Sequence, residues 1–459
     1  MAVSRRTLMR TLGASVLGAS ALSACTGPGG GRRGFRGRRR RTTTNPTADA
    51  VSEPDTPLVI GSIGSSYGIA GRFEDQISTA ITEALIDINA RDGGLFGHKV
   101  EAVERHVVKE AGSDLTTVVA RLKESGVTAV ITSLDDETLI SAVPQFVEAG
   151  IAIIDVFSSG MQVRDPEVQH GGMLLRLSPN DRAIAQHYAE AAFGNASDKT
   201  GAPGSVAFVS EDTAQGRSLK EQLELIINPQ AGKIVAEHFY PIGSFGDRAA
   251  VVGKIVKAKP YLLVVNGPST DAGPLLSDLW KATLDEGQRP TLDIQVRVGP
   301  AAVMDFKDDA LQADCLSRTV GQQSGGSLSD EHVNMMLNVS PNFLTESYAY
   351  SQQAYDAVML CCIGAYSALS VKGSDIAKAI PAVLTGSEEC FDYAACRTLM
   401  RDGLAAGGER VSVSYAGRMG ALELGTDGDP AKGSLREYTW SEANVLQPPD
   451  ATNYEVAPG

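Results

Sequence analysis

The chain lacks the ingredients of several protein classes. It contains no C-x-x-C pair and its six His are scattered, so no zinc site can be read from it. The apolar run near its start, Leu12 to Leu22, is too short to span a membrane as a helix. Basic charge is scarce where a fold would lie. Residues 1–56 carry ten Arg and three acidic residues, which leaves 31 basic against 52 acidic side chains in the rest. A body that acidic argues against nucleic-acid binding through its folded part. No cofactor motif survives inspection. Gly29, Gly31 and Gly34 match G-x-G-x-x-G by spacing, but no strand precedes them and no helix follows.

What is present begins with delivery signals. Arg5 and Arg6 precede the short apolar run, as in a twin-arginine export signal, and Leu22-Ser23-Ala24-Cys25 resembles a bacterial lipobox. Residues 1–25 are expected to be a signal peptide, with Cys25 acylated and anchoring the chain to the membrane. Residues 26–56 are a Gly-, Arg- and Pro-containing tether that cannot bury a core. Its arginines are either a solvated linker or a basic run lying on anionic lipid.

The folded part is organised around the stretch from Leu58 to Val100. Leu58, Val59, Ile60 and Ile63 form a buried strand, and a Gly/Ser loop follows. Ile77, Ala80, Ile81, Ala84, Leu85 and Ile88 then recur on one helical face. Gly93 and Gly94 end that helix. Further strands are expected at Ala129 to Thr132, Ile151 to Val156, Val206 to Ser210, Ile234 to Tyr240 and Tyr261 to Val265, with helices between them. Such alternation predicts an α/β fold with parallel sheets. Loops at the carboxyl ends of these strands are where such sheets bind ligands.

Several segments carry a family resemblance in order and spacing. They are Asp87-Ile88-Asn89-Ala90-Arg91-Asp92-Gly93-Gly94-Leu95-Phe96-Gly97-His98-Lys99-Val100, Arg176-Leu177-Ser178-Pro179-Asn180-Asp181, Gln215-Gly216, Ala354-Tyr355-Asp356-Ala357-Val358, and Gly417-Arg418-Met419-Gly420 with Asp427-Gly428-Asp429-Pro430. The chain resembles the type I periplasmic binding proteins, in particular the branched-chain amino-acid receptors of ABC importers. The resemblance implies two Rossmann-like lobes joined by three crossovers, with the ligand in the cleft between them. Lobe 1 would be 57–179 plus 300–424, and lobe 2 would be 180–299 plus 425–459. It also implies a small polar ligand, an ABC permease as partner, no cofactor, no catalysis, and a place on the outer face of the cytoplasmic membrane. A receptor of the same fold that senses a ligand without transport is the alternative.

The same resemblance nominates site residues. Ser133, Phe157, Ser158 and Ser159 would hold a ligand carboxylate, using the anion preference of helix N-termini. Asp135 and Asp136 fit that role poorly: they either cap the helix starting at Glu137 or face the cleft and favour an amine, amide or polyol. Phe73 takes the place of an aromatic ring in the first loop, with Tyr67 nearby and Ser66 beside it. Gln215 stands where a second aromatic is common. Asp271 would pair with a ligand amine or cap the next helix.

Two further features need explanation. Cys390 and Cys396 enclose a short polar loop and form the expected disulfide. Cys361 and Cys362 are adjacent on a helix, so at most one could meet Cys315. Gly64-Ser65-Ser66-Tyr67-Gly68 fits the G-x-S-x-G of a serine hydrolase, with Ser66 as nucleophile. That elbow normally follows several earlier strands, and here it follows the first.

Overall fold

The computed structural model describes residues 53–194, 200–344, 348–405 and 411–456. The twin-arginine segment, Cys25 and the tether up to residue 52 lie outside the described residues. The chain divides into the units Met1–Ala50 and Val51–Gly459, and the second holds everything below.

The first sheet is built from β1 (Val59–Ser65), β2 (Glu101–Ala102), β3 (His106–Val108), β4 (Ala129–Thr132), β5 (Ala152–Asp155) and β6 (Leu174–Arg176). Its order is β2-β1-β4-β5-β6, with β3 also beside β1, and every pairing is parallel. β1, β4 and β5 are buried along their whole length, which is why they read as continuous apolar or small-residue runs. Between them run α1 (Gly68–Gly71), α2 (Glu74–Ile86), α3 (Thr116–Glu124) and α4 (Asp136–Ala149).

After β6 the chain passes to a second sheet. α5 (Asp181–Ala192) leads to β7 (Ser205–Glu211), α6 (Ala214–Ile227), β8 (Lys233–Tyr240), α7 (Arg248–Ala258), β9 (Leu262–Asn266), α8 (Ser269–Thr283), β10 (Gln295–Val298) and β11 (Thr319–Ser324). It then returns to cover the first sheet with α9 (Asp330–Val339), α10 (Ser351–Ala368), α11 (Gly373–Val383), β12 (Glu388–Cys390), α12 (Tyr393–Ala405) and β13 (Val413–Tyr415). A third passage leads to β14 (Glu423–Leu424), β15 (Pro430–Tyr438) and β16 (Asp450–Glu455). The second sheet reads β14-β15-β11-β10-β9-β7-β8, with β16 beside β15; β15 is antiparallel to its neighbours.

This corrects the expected boundaries. β11 hydrogen-bonds to β10, so residues 300–324 stay with the second sheet, and the return lies after Ser324 rather than at 299. β14 likewise pairs with β15, so Glu423 and Leu424 also belong there. The strand sequences QVRV and TVGQQS contain no apolar run that would have marked them.

The segment Asp87 to Val100 proves to be structural. α2 ends in a π-turn, Asp87–Arg91. The Asn89 side chain accepts from Val100 N at 2.8 Å and donates to Val100 O at 2.9 Å, locking the helix end to the next segment. Gly94 has φ +80°, and a Cβ there would sit 2.0 Å from the His98 carbonyl oxygen. α10 is buried almost throughout as the central helix of the first lobe. No single helix among the described residues is long and apolar enough to cross a membrane. Cys390 and Cys396 form a disulfide, while Cys315, Cys361 and Cys362 are buried free thiols.

Candidate functional site

A cavity of about 300 Å³ lies where the carboxyl ends of both sheets' strands meet. That volume suits a small ligand. From the first lobe come Tyr67 after β1, Asp135 and Asp136 after β4, Phe157 to Ser159 after β5, and Ser178 after β6. From the second come Thr213 and Gln215 after β7, Asn266 ending β9, Gly299 after β10 and Ser324 ending β11. Parallel strands all point their carboxyl ends one way, so one edge of each sheet supplies every loop.

Of the residues nominated by sequence, Tyr67, Asp135, Phe157, Ser158, Ser159 and Gln215 line this cavity. Four others do not. Phe73 is a core ring, 2% exposed, packed edge-on against Tyr350 with centroids 4.9 Å apart. It backs the wall that Tyr350 and Phe157 present. Ser133 is fully buried and accepts from Arg105 Nη2 at 2.8 Å; Arg105 is itself held by Glu74. Ser66 is exposed, and its hydroxyl donates to the Val108 carbonyl at 3.2 Å. No hydrogen bond among the described residues joins it to a His. Asp271 sits in the first turn of α8, off the lining, where its charge acts on Tyr240 and Glu211.

Sequence reasoning missed Tyr188, Asn266, Tyr350 and Ser324, and weighed Asp136 only beside its neighbour. Asn266 ends the apolar strand of β9 and was within reach of the strand-end rule. Tyr350 comes from a loop before α10 and carried no local signal.

The polar groups are closely connected. Asp135 caps α4, accepting from Thr138 N at 2.9 Å and its hydroxyl at 2.7 Å. Asp155 Oδ2 accepts from Phe157 N at 3.3 Å, Ser158 N at 2.8 Å and the Ser158 hydroxyl at 2.6 Å, while Thr132 donates to Oδ1 at 2.8 Å. Gln215 Nε2 donates to Asp181 Oδ1 at 3.2 Å, and its Oε1 accepts from Asn266 Nδ2 at 3.0 Å. Behind them, fully buried Arg176 pairs with Asp429 and donates to the Gly160 carbonyl at 2.8 Å.

Burial dominates the titration of these acids. Burial, then the Asp181 charge, pushes Asp136 up to about 7. Burial pushes Asp155 up to about 6 despite its hydrogen bonds, and Asp356 of α10 likewise to about 6. A carboxyl raised in the folded state binds its proton more tightly there than when unfolded. Its contribution is therefore most favourable below the ordinary value near 4 and is lost as pH rises through 6 to 7. The expected result is a melting temperature that rises as pH falls from 8 toward 5. Circular-dichroism melts across that range check it; a flat or inverted profile would mean these acids are not held as described.

The comparisons with known proteins bear on this geometry. A family model described as periplasmic binding protein matches residues 57–383. No curated protein matches the chain. Among solved structures, the branched-chain amino acid transporter substrate-binding protein LivJ of Streptococcus pneumoniae, in complex with isoleucine, aligns at 16% identity. It covers 87% of this chain and 100% of its own, with a TM-score of 0.61. The leucine-binding protein LivK of Thermotoga maritima aligns at 13% identity over 87% of this chain and 99% of its own, with a TM-score of 0.61. A solute-binding protein of an ABC transporter from Rhodopseudomonas palustris BisB5, in complex with 3,4-dihydroxybenzoic acid, aligns at 15% identity over 88% of this chain and 98% of its own, also with a TM-score of 0.61. At these identities the structures speak to the fold, which is that of the type I binding proteins. The family match spans most of the sequence, and the chain belongs to the periplasmic binding protein family.

Proposed function

We propose that this chain is the extracytoplasmic solute-binding lipoprotein of an ABC importer, holding an amino acid or similar small polar ligand between two closing lobes. The observation that carries the reading is the cavity lined by strand ends of both sheets. A ligand there touches both lobes at once, so its binding energy favours the closed arrangement. The relatives of this fold named above hold isoleucine or a dihydroxybenzoic acid. Cys25 would supply the membrane tether and the permease would read the closed lobes.

One preparation tests both halves. The protein is taken from the membrane fraction of cells expressing it and from the soluble fraction of a Cys25→Ser strain, then denatured, and the released solute is identified by mass spectrometry. A stoichiometric small molecule and loss of the variant from the membrane are expected. If no solute is released, and amino acids, amides, polyamines and sugars all leave the melting temperature unmoved, the reading fails, because any ligand of the folded state raises apparent stability.

A further inference from the structure

Donors and acceptors around the cavity are unevenly engaged. The backbone N–H groups of Phe157 and Ser158, suited to an incoming carboxylate, already hold one: that of Asp155. Of the helix N-termini at the cavity, those of α4, α5 and α6 are capped by the chain's own oxygens, whereas α1, whose Gly68 lines the cavity, has no side-chain cap. Asp135 caps α4, Asn180 accepts from Ala183 N at the start of α5, and Thr213 accepts from Gly216 N at the start of α6. Those three capped ends offer less to an anion than free ones would.

Acceptors, by contrast, remain. Asp181 fixes the Gln215 amide with its nitrogen toward the carboxylate, and Gln215 fixes Asn266 in turn. Asn266 lines the cavity; its Nδ2 is engaged by Gln215 Oε1 and by Ser210 Oγ at 3.1 Å, and its carbonyl oxygen takes part in neither bond. Asp136 lines the cavity and is 3% exposed; Oδ1 accepts from Gly160 N at 3.2 Å, and Oδ2, itself buried beside Gly160, has no hydrogen-bond partner. Among the described residues no Lys, Arg or His lines the cavity, whereas Asp135, Asp136, Glu137 and Asp212 do. The rings of Tyr67, Phe157, Tyr188 and Tyr350 complete the wall, and aromatic faces attract cations.

We infer that the cavity takes a small organic cation, an ammonium or amidinium on an apolar body, received by Asp136 and the Asn266 carbonyl, and that it rejects ligands held through a carboxylate. This rests on the solute-binding reading above and narrows it. A buried carboxylate with an empty lone pair gains a charge-assisted hydrogen bond when such a cation arrives. The groups facing Asp136 are Asp181 of α5, Asp155 of β5 and Arg176 of β6, with Asp135 and Glu137 beside it. Arg176 is already neutralised by Asp429, so the local balance stays negative. Since burial pushes Asp136 up to about 7, cation affinity is expected to fall about tenfold per pH unit below that value.

The test is calorimetric titration of the full chain with isopentylamine, leucine and isovalerate, which share a branched apolar body, and with putrescine and agmatine as further cations. At least one cation is expected to bind tenfold or more tightly than leucine and isovalerate, with affinity dropping from pH 8 to pH 6. Asp136→Asn, which keeps the shape and the bond to Gly160, should weaken that cation tenfold or more and flatten the pH dependence. Leucine or isovalerate binding as tightly as every cation overturns the inference while leaving the solute-binding reading intact. So does a well-folded Asp136→Asn that binds the cation unchanged, or a wild-type affinity that ignores pH. If these probes fail and the released solute proves neutral or anionic, the inference falls alone; if no solute of any class binds, both readings fall.

Discussion

Asp429→Ala is expected to lower the unfolding free energy by about 3–5 kcal/mol, the cost of breaking a buried ion pair from one side. Asp429 is 3% exposed and meets two arginines at once. Arg176 donates from Nε at 2.7 Å and again from Nη2, Arg164 donates from Nε at 2.8 Å, and Asn180 adds a bond at 3.1 Å. Burial alone would raise its pKa, yet Arg176 and Arg164 hold the carboxyl well below the usual range. The substitution leaves Arg176, fully buried, and Arg164, nearly so, without their counter-charge. It also cuts the tie between the third passage and the last strand of the first sheet, where Arg176 N donates to the Gly428 carbonyl at 2.9 Å. Urea titration should show the midpoint falling with little change in slope. A loss below about 1 kcal/mol would mean the cluster contributes no more than a surface pair.

Asp155→Ala is the second large effect. It strips an acceptor from two backbone N–H groups and two hydroxyls in a largely buried loop. At about 1–3 kcal/mol for each buried polar group left unsatisfied, less the relief of removing a raised-pKa acid, a net loss of about 3 kcal/mol is expected. Asp155→Asn keeps an acceptor for the N–H groups and should cost clearly less. Added formate should restore part of the melting temperature of the alanine variant, since it can enter the vacated N–H pair, and should do nothing for wild type. Equal losses in the two variants, with no formate response, would refute the view that Asp155 stands where a ligand carboxylate would otherwise go.

Much of the fold was legible because its signals are local. Buried parallel strands such as β4 and β9 are continuous apolar runs, and helices such as α6 and α7 end within a residue or so of where their periodicity stops. β10 and β11 were not legible. Their residues are half polar, and they are strands only because β9 on one side and β15 on the other supply partners. The site divides the same way. The family resemblance led to Ser158, Ser159 and Gln215, but could not tell that Ser133 would sit beneath Arg105 or that Phe73 would be sealed behind Tyr350.

The sequence by itself determined the alternating α/β architecture, the acidic body, the Asp87–Val100 turn and the family, because each is carried by local runs, by composition or by the order of short segments along the chain. Only the tertiary structure decided what the cavity offers a ligand. Tyr67, Asp136, Asn266 and Tyr350 converge there from separate elements. Whether a carboxylate or an amide presents a donor, an acceptor or nothing depends on which partner has already claimed it. That is a property of three-dimensional neighbours, and no spacing in the chain encodes it.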